Sequence, residues 1–173
     1  MKKIIIVVLI AVLAMSAFAA DQNWAKSYNK DGQLNLFASV GYLGYFDGSV
    51  GVEYTLGEFD FGGIPVDYGI MARGVVEAWG FGSYSGIFWG VAPMFAMHLG
   101  LNNLPFEFFL SAGIGFSGYS YGSGNLDPAY PGFGIAFASF EGAMWHFADK
   151  FALLLEYGYI GVSIWGVGIE MQL

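Results

Sequence analysis

The last nine residues alternate strictly. Trp165, Val167, Ile169, Met171 and Leu173 are apolar, while Gly166, Gly168, Glu170 and Gln172 between them are small or polar. Successive side chains of a strand point to opposite sides, so this segment has one oily face and one polar face. The same pattern recurs along most of the chain. Two architectures satisfy it: a soluble barrel with the oily face inward, or a membrane barrel with the oily face toward lipid and the polar face in the lumen.

Composition favours the membrane arrangement. Of 173 residues, 56% are hydrophobic and only 12% charged, against about 25% charged in ordinary soluble domains. A soluble barrel needs a charged exterior, which so few charges cannot build. The 27 glycines weigh against helices, each costing about 1 kcal/mol relative to alanine. High hydrophobicity without a long apolar run beyond the first 20 residues fits apolar side chains distributed over many strands.

Residues 1–20 read as an export leader: Lys2 and Lys3, an apolar run from Ile4 to Ala14, and a small-x-small pattern at Ala17-Phe18-Ala19. Residues 21–31 read as a short polar tail, and 32–173 as one barrel domain. The leader holds two of the six basic residues and no acid. The remainder thus has four bases against 14 acids, a net charge of −10. That balance argues against nucleic acid as a partner. Cysteine is absent, so no disulfide or thiolate metal site is available.

Alternation and turn residues predict about eight strands, near 33–45, 49–57, 65–81, 84–101, 105–119, 132–147, 150–160 and 163–173. The breaks fall at Asp47-Gly48, Gly62-Gly63-Ile64-Pro65, Gly82-Ser83, Asn102-Asn103-Leu104-Pro105, Asp127-Pro128 and Asp149-Lys150. The longest connection, 119–132, is the fifth, which places it outside if both chain ends lie in the periplasm. Its mixture of Tyr, Ser, Gly and Asn suits adaptable surface contacts, so an extracellular partner is one expectation for it. The aromatics divide into two predicted girdles. Tyr68, Phe106, Phe108, Phe147 and Phe151 fall at one interface; Tyr42, Tyr45, Trp79, Trp89, Phe116, Tyr119, Tyr157, Tyr159 and Trp165 fall at the other.

The stretch Phe147-Ala-Asp-Lys-Phe-Ala-Leu-Leu-Leu-Glu-Tyr-Gly-Tyr-Ile-Gly161, followed by a short final strand, resembles the penultimate hairpin of small OmpA/OmpX-type outer membrane barrels. The resemblance implies an all-β, up-and-down transmembrane barrel in the outer membrane. It also implies outer membrane lipids as surroundings and the barrel-insertion machinery as a partner during assembly. The family usually ends in Phe or Trp, where this chain has Leu173.

Alternation puts Glu53, Glu77, Glu107, Glu156 and Glu170 on the polar face, with Arg73 the one clear interior base. Glu141 is expected to join them. With Ala148-Asp149 as a two-residue turn, Glu141 and Glu156 would pair across adjacent strands, and Arg73 would reach both from across the narrow lumen. The sixth strand stays ambiguous, because an inward Glu141 brings Phe137 and Trp145 inward too unless a bulge intervenes near 139–141. This set reads as a structural polar plug, or alternatively as a cation-favouring gate.

Other motifs carry less. His98 and His146 lack the His-x-Ser spacing of lipid A deacylases and sit on separate strands, which is weak for a metal site. Gly113-Ile-Gly-Phe-Ser-Gly118 matches a dinucleotide fingerprint but lacks the helix that fingerprint requires. No catalytic, cofactor or metal residues are therefore expected. The leading function is non-enzymatic, structural or surface-exposed. A narrow OmpW-like channel for small cations or small hydrophobic molecules comes second, a lipid-modifying enzyme third, and a soluble periplasmic ligand-binding barrel fourth.

Overall fold

A computed structural model describes residues 25–42, 45–81, 84–121 and 132–173. The expected leader, and most of the 119–132 connection, lie outside these residues. Among the described residues there are nine strands: β1 (Ala25–Lys26), β2 (Leu34–Tyr42), β3 (Phe46–Asp60), β4 (Pro65–Phe81), β5 (Tyr84–Leu101), β6 (Phe106–Tyr121), β7 (Phe133–Ala148), β8 (Phe151–Ile160) and β9 (Ser163–Gln172). Strands β2 to β9 each pair antiparallel with their chain neighbours, and β2 pairs with β9 to close an eight-strand barrel. β1 is a two-residue addition at the end of β5, with Ala25 opposite Leu101.

The faces sort as a membrane barrel requires. Ile135 is 78% exposed, Val40 66% and Ile114 65%, whereas Glu53, Glu107 and Glu170 are fully buried in the lumen. The oily side chains point outward and the carboxylates inward. Turns at the end carrying the C-terminus are short (61–64, 102–105 and 149–150), and the longest connection lies at the opposite end. We call these the terminal end and the loop end.

Two predicted breaks move. β3 begins at Phe46, so Asp47-Gly48 lies within the strand, where Asp47 pairs with Gly41 and Glu77. A luminal strand accepts a buried Asp, so a turn-like dipeptide need not mark a turn here. β3 also continues to Asp60 past a bulge at Thr55/Gly57, which shortens a connection expected over 57–64. The turn that remains uses Gly62 and Gly63 at φ of 65° and 92°, a region open to glycine at little cost.

The lumen is a packed core. Phe37, Phe88, Phe140, Met144, Leu154, Ile160 and Ile164 fill it alongside the polar groups. Large side chains sit over glycines on facing strands: a Cβ at Gly158 would strike the Phe140 ring, and one at Gly51 would strike the Arg73 side chain. Aromatics ring both ends of the outer wall. Phe147 and Phe151 stack at the terminal end, while Phe116 stacks on Phe133 and Tyr157 meets Trp165 toward the loop end.

Candidate functional site

Two polar layers cross the lumen. In the first, Arg73 of β4 donates to Glu156 of β8. The other oxygen of Glu156 accepts from Ser39 Oγ at 2.5 Å and Ser49 Oγ at 2.7 Å. The guanidinium lies 4.5 Å from the Phe140 ring centroid and 5.1 Å from that of Phe37. One arm of Arg73 therefore meets a carboxylate while its faces meet aromatic rings, a mode suited to its flat, weakly hydrated cation.

The second layer lies at the terminal end and is built around Glu107 of β6. Its Oε1 is 2.5 Å from His98 Nδ1 and accepts from the Asn29 side chain at 2.9 Å. Its Oε2 is 2.7 Å from His146 Nε2. The other nitrogen of His98, Nε2, hydrogen-bonds Glu53 Oε2 at 3.0 Å. His98 thus bridges two carboxylates, an arrangement in which both ring nitrogens donate. Glu170 of β9 completes the layer. Gln172 follows it on the same face, yet neither Glu170 oxygen nor the Gln172 amide nitrogen makes a hydrogen bond of normal geometry.

Residues 25–33 pack against this end of the barrel: 25–28 are half-buried, Asn29 is buried and 30–32 are exposed. Asn29 is buried, receives a hydrogen bond from Asn35 at 2.8 Å, and donates its backbone N–H to Asp67 at 3.2 Å. Ser27 also donates to Asp67. Tyr28 lies flat on the His146 ring, and its hydroxyl donates to the Leu104 carbonyl at 2.8 Å.

Of the sequence-predicted set, Glu53, Arg73, Glu107, Glu156 and Glu170 are buried in the lumen. Glu77 points inward but is only half-buried, opposite Asp47 toward the loop end. Glu141 is a correction: it faces outward and is exposed. The β7–β8 turn falls at the expected Asp149-Lys150 break, one residue later than the Ala148-Asp149 turn that would pair Glu141 with Glu156, and a bulge at His146/Ala148 recovers only part of that offset. Glu141 consequently opposes Tyr157, and Gly142 opposes Glu156. β7 needs no bulge near 139–141, and Phe137, Glu141 and Trp145 all face out. Arg73 reaches Glu156 alone. Among the described residues, the acids directly opposed on β3 and β4 are Asp47 with Glu77 and Glu58 with Asp67.

Sequence reasoning missed the joining of His98 and His146 to the interior acids. Strand parity held the signal, because His98 shares a face with Met94 and Ala96, and His146 with Phe140 and Met144.

No family model matches the chain, and no curated protein does. Solved structures do. The attachment invasion locus protein Ail of Yersinia pestis is similar over 83% of this chain and 100% of its own, at 15% identity and a TM-score of 0.53. Neisserial surface protein A is similar over 82% of this chain and 95% of its own, at 11% identity and a TM-score of 0.54. Such likeness defines a fold. The chain has the architecture of the small eight-strand outer membrane barrels.

Proposed function

We propose that this chain is a non-enzymatic integral protein of the cell outer membrane, of the OmpA/OmpX/OmpW kind, with a closed lumen and a structural or surface-exposed role. The observation that carries this reading is the filling of the barrel. Phe88, Ile160 and Ile164 toward the loop end, Arg73 and Phe140 in the middle, and His98 and Glu170 at the terminal end are each under 2% exposed. Side chains that water cannot touch do not line a passage for hydrated ions.

The remaining parts follow from that arrangement. Residues 1–20 are the export leader, and the terminal end faces the periplasm. Outer membrane lipids cover the apolar wall, and the barrel-insertion machinery is the partner in assembly. Connections at the loop end, 119–132 above all, supply the surface for an extracellular partner. A non-enzymatic role is supported by the histidines. Among the described residues their hydrogen bonds go to carboxylates, and neither meets a hydroxyl nucleophile.

Planar-bilayer recording of the detergent-extracted protein tests the reading. No conductance steps above background are expected, either in wild type or in Arg73→Ala. Stable steps in wild type would replace it with the narrow channel.

A further inference from the structure

We propose that Glu107, His146 and Glu170 bind a divalent transition-metal ion of the zinc type at the terminal end of the lumen. This site is independent of whether the barrel conducts. The three residues come from β6, β7 and β9, and one donor atom of each lies within 4.8 Å of the others. Donors held about 2.0–2.2 Å from one ion lie within about 4.4 Å of one another, so small side-chain shifts bring all three onto a single ion.

The second observation is Glu170. Its side chain is fully buried, and although Gln172 is its polar neighbour, neither carboxylate oxygen makes a hydrogen bond of normal geometry. A buried carboxylate without compensation is costly. The surroundings cannot compensate it. Glu53, Glu107 and Glu170 are three buried acids, and the histidines beside them are two. His98 is held by Glu53 and Glu107, and His146 by Glu107. Arg73 is engaged by Glu156 in the other layer, and Lys26 lies over the Tyr28 ring. Even with both histidines charged, these three carboxylates outnumber the cations, and buried Asp67, which shares Asn29 with Glu107, adds a fourth acid. A divalent ion between Glu170 and Glu107 supplies the missing positive charge.

The donor set selects the metal class. One imidazole nitrogen and two carboxylates, with no thiolate, suit zinc and its first-row neighbours rather than copper(I). Calcium takes about six to eight oxygen donors, and magnesium prefers oxygen ligands with several retained waters, so a dry site with an imidazole donor suits neither. Glu107 is already oriented for the task. His98 and Asn29 hold its Oε1, which leaves Oε2 facing His146 Nε2. His98 is therefore a positioning residue, fixing a ligand as outer hydrogen bonds do in metal sites. When the ion binds, the proton shared between Glu107 Oε2 and His146 Nε2 is released to solvent. Tyr28 and Asn29 cover the site, so loading occurs when residues 25–33 lift or during folding.

The test uses full-length protein extracted in detergent and stripped with EDTA. Zinc is offered in two ways, to the folded protein and during refolding from urea, and bound metal is then counted. One zinc per chain is expected, with X-ray absorption showing nitrogen and oxygen donors at about 2.0–2.2 Å. Glu170→Gln and His146→Gln should each weaken binding by about 10-fold or more. Glu58→Gln, on the exposed end of β3, should not. A heat-dependent gel shift verifies that each variant is folded. If Glu170→Gln fails to fold, Glu170→Asp keeps the charge and should still weaken binding. No retained zinc after either loading, a folded Glu170→Gln binding like wild type, an absorption spectrum without imidazole, or calcium bound in preference to zinc would each overturn the site.

Discussion

Tyr28 lies flat on His146, with ring centroids 4.1 Å apart and planes within 6°. The contact ties a segment outside the barrel strands to a side chain deep in β7. It makes residues 25–33 a stopper whose removal should be measurable apart from barrel unfolding. Tyr28→Ala deletes both the ring contact and the hydrogen bond to Leu104. The stack is worth about 1 kcal/mol beyond its buried area. Amide exchange over 25–33 should therefore quicken while the barrel strands stay protected, and unchanged exchange would show that the stack does not hold the segment.

Arg73 and Glu156 form the ionic pair of the other layer, and the side chains of both are fully buried. Removing the cation alone leaves a buried carboxylate uncompensated, which costs about 3–5 kcal/mol. Arg73→Met should lower the melting temperature in detergent. Arg73→Met with Glu156→Gln should recover most of the loss, since the stranded charge goes too. An unchanged melting point in the single variant would count against a structural plug.

Phe140 fills the space that Gly158 leaves on the adjacent strand. Gly158→Ala places a methyl group against that ring and should destabilise by about 1–3 kcal/mol. Adding Phe140→Leu should relieve it. Equal stability of Gly158→Ala and wild type in urea titrations would mean that the ring has room to move.

Glu141 sits mid-strand on the outer wall, and among the described residues it is the charged side chain there that lies away from the strand ends. Ser139 and Ala143 flank it on the same face. A carboxylate facing lipid costs less than the roughly 2–4 kcal/mol of a base at the bilayer midplane, but it costs. Glu141→Leu should raise unfolding free energy in lipid vesicles by about 1 kcal/mol. A loss of stability instead would show that the carboxylate has a favourable partner in the membrane.

The eight strands were legible because lipid and lumen impose opposite chemistry on alternate residues, a rule that holds along most of β2 to β9, with Glu141 an exception. Turns were less legible. Asp47-Gly48 has turn chemistry, yet in a polar lumen a buried Asp beside a glycine is also good strand. The greatest loss came at β7. A net one-residue slip in pairing register exchanges the two faces of a strand. Placing the turn at 148–149 paired Glu141 with Glu156, where the actual turn and bulge pair it with Tyr157. The same shift hid His146, which enters the lumen only when Glu141 leaves it. The burial of Asn29 depends on contacts nearly 80 residues away, with Glu107, and no local pattern announces such a contact.

The seam between β2 and β9 unites the first and last long strands of the chain. Until it zips, Glu170 and Glu156 belong to an open, curling sheet whose inner side is wet. β9 is thus also the cork: drying the interior, satisfying two orphan edges and bringing Glu170 beside its neighbours are a single event. A chain truncated before Ser163 would not make seven-eighths of a barrel. It would remain a hydrated trough, with nowhere in hydrocarbon to go.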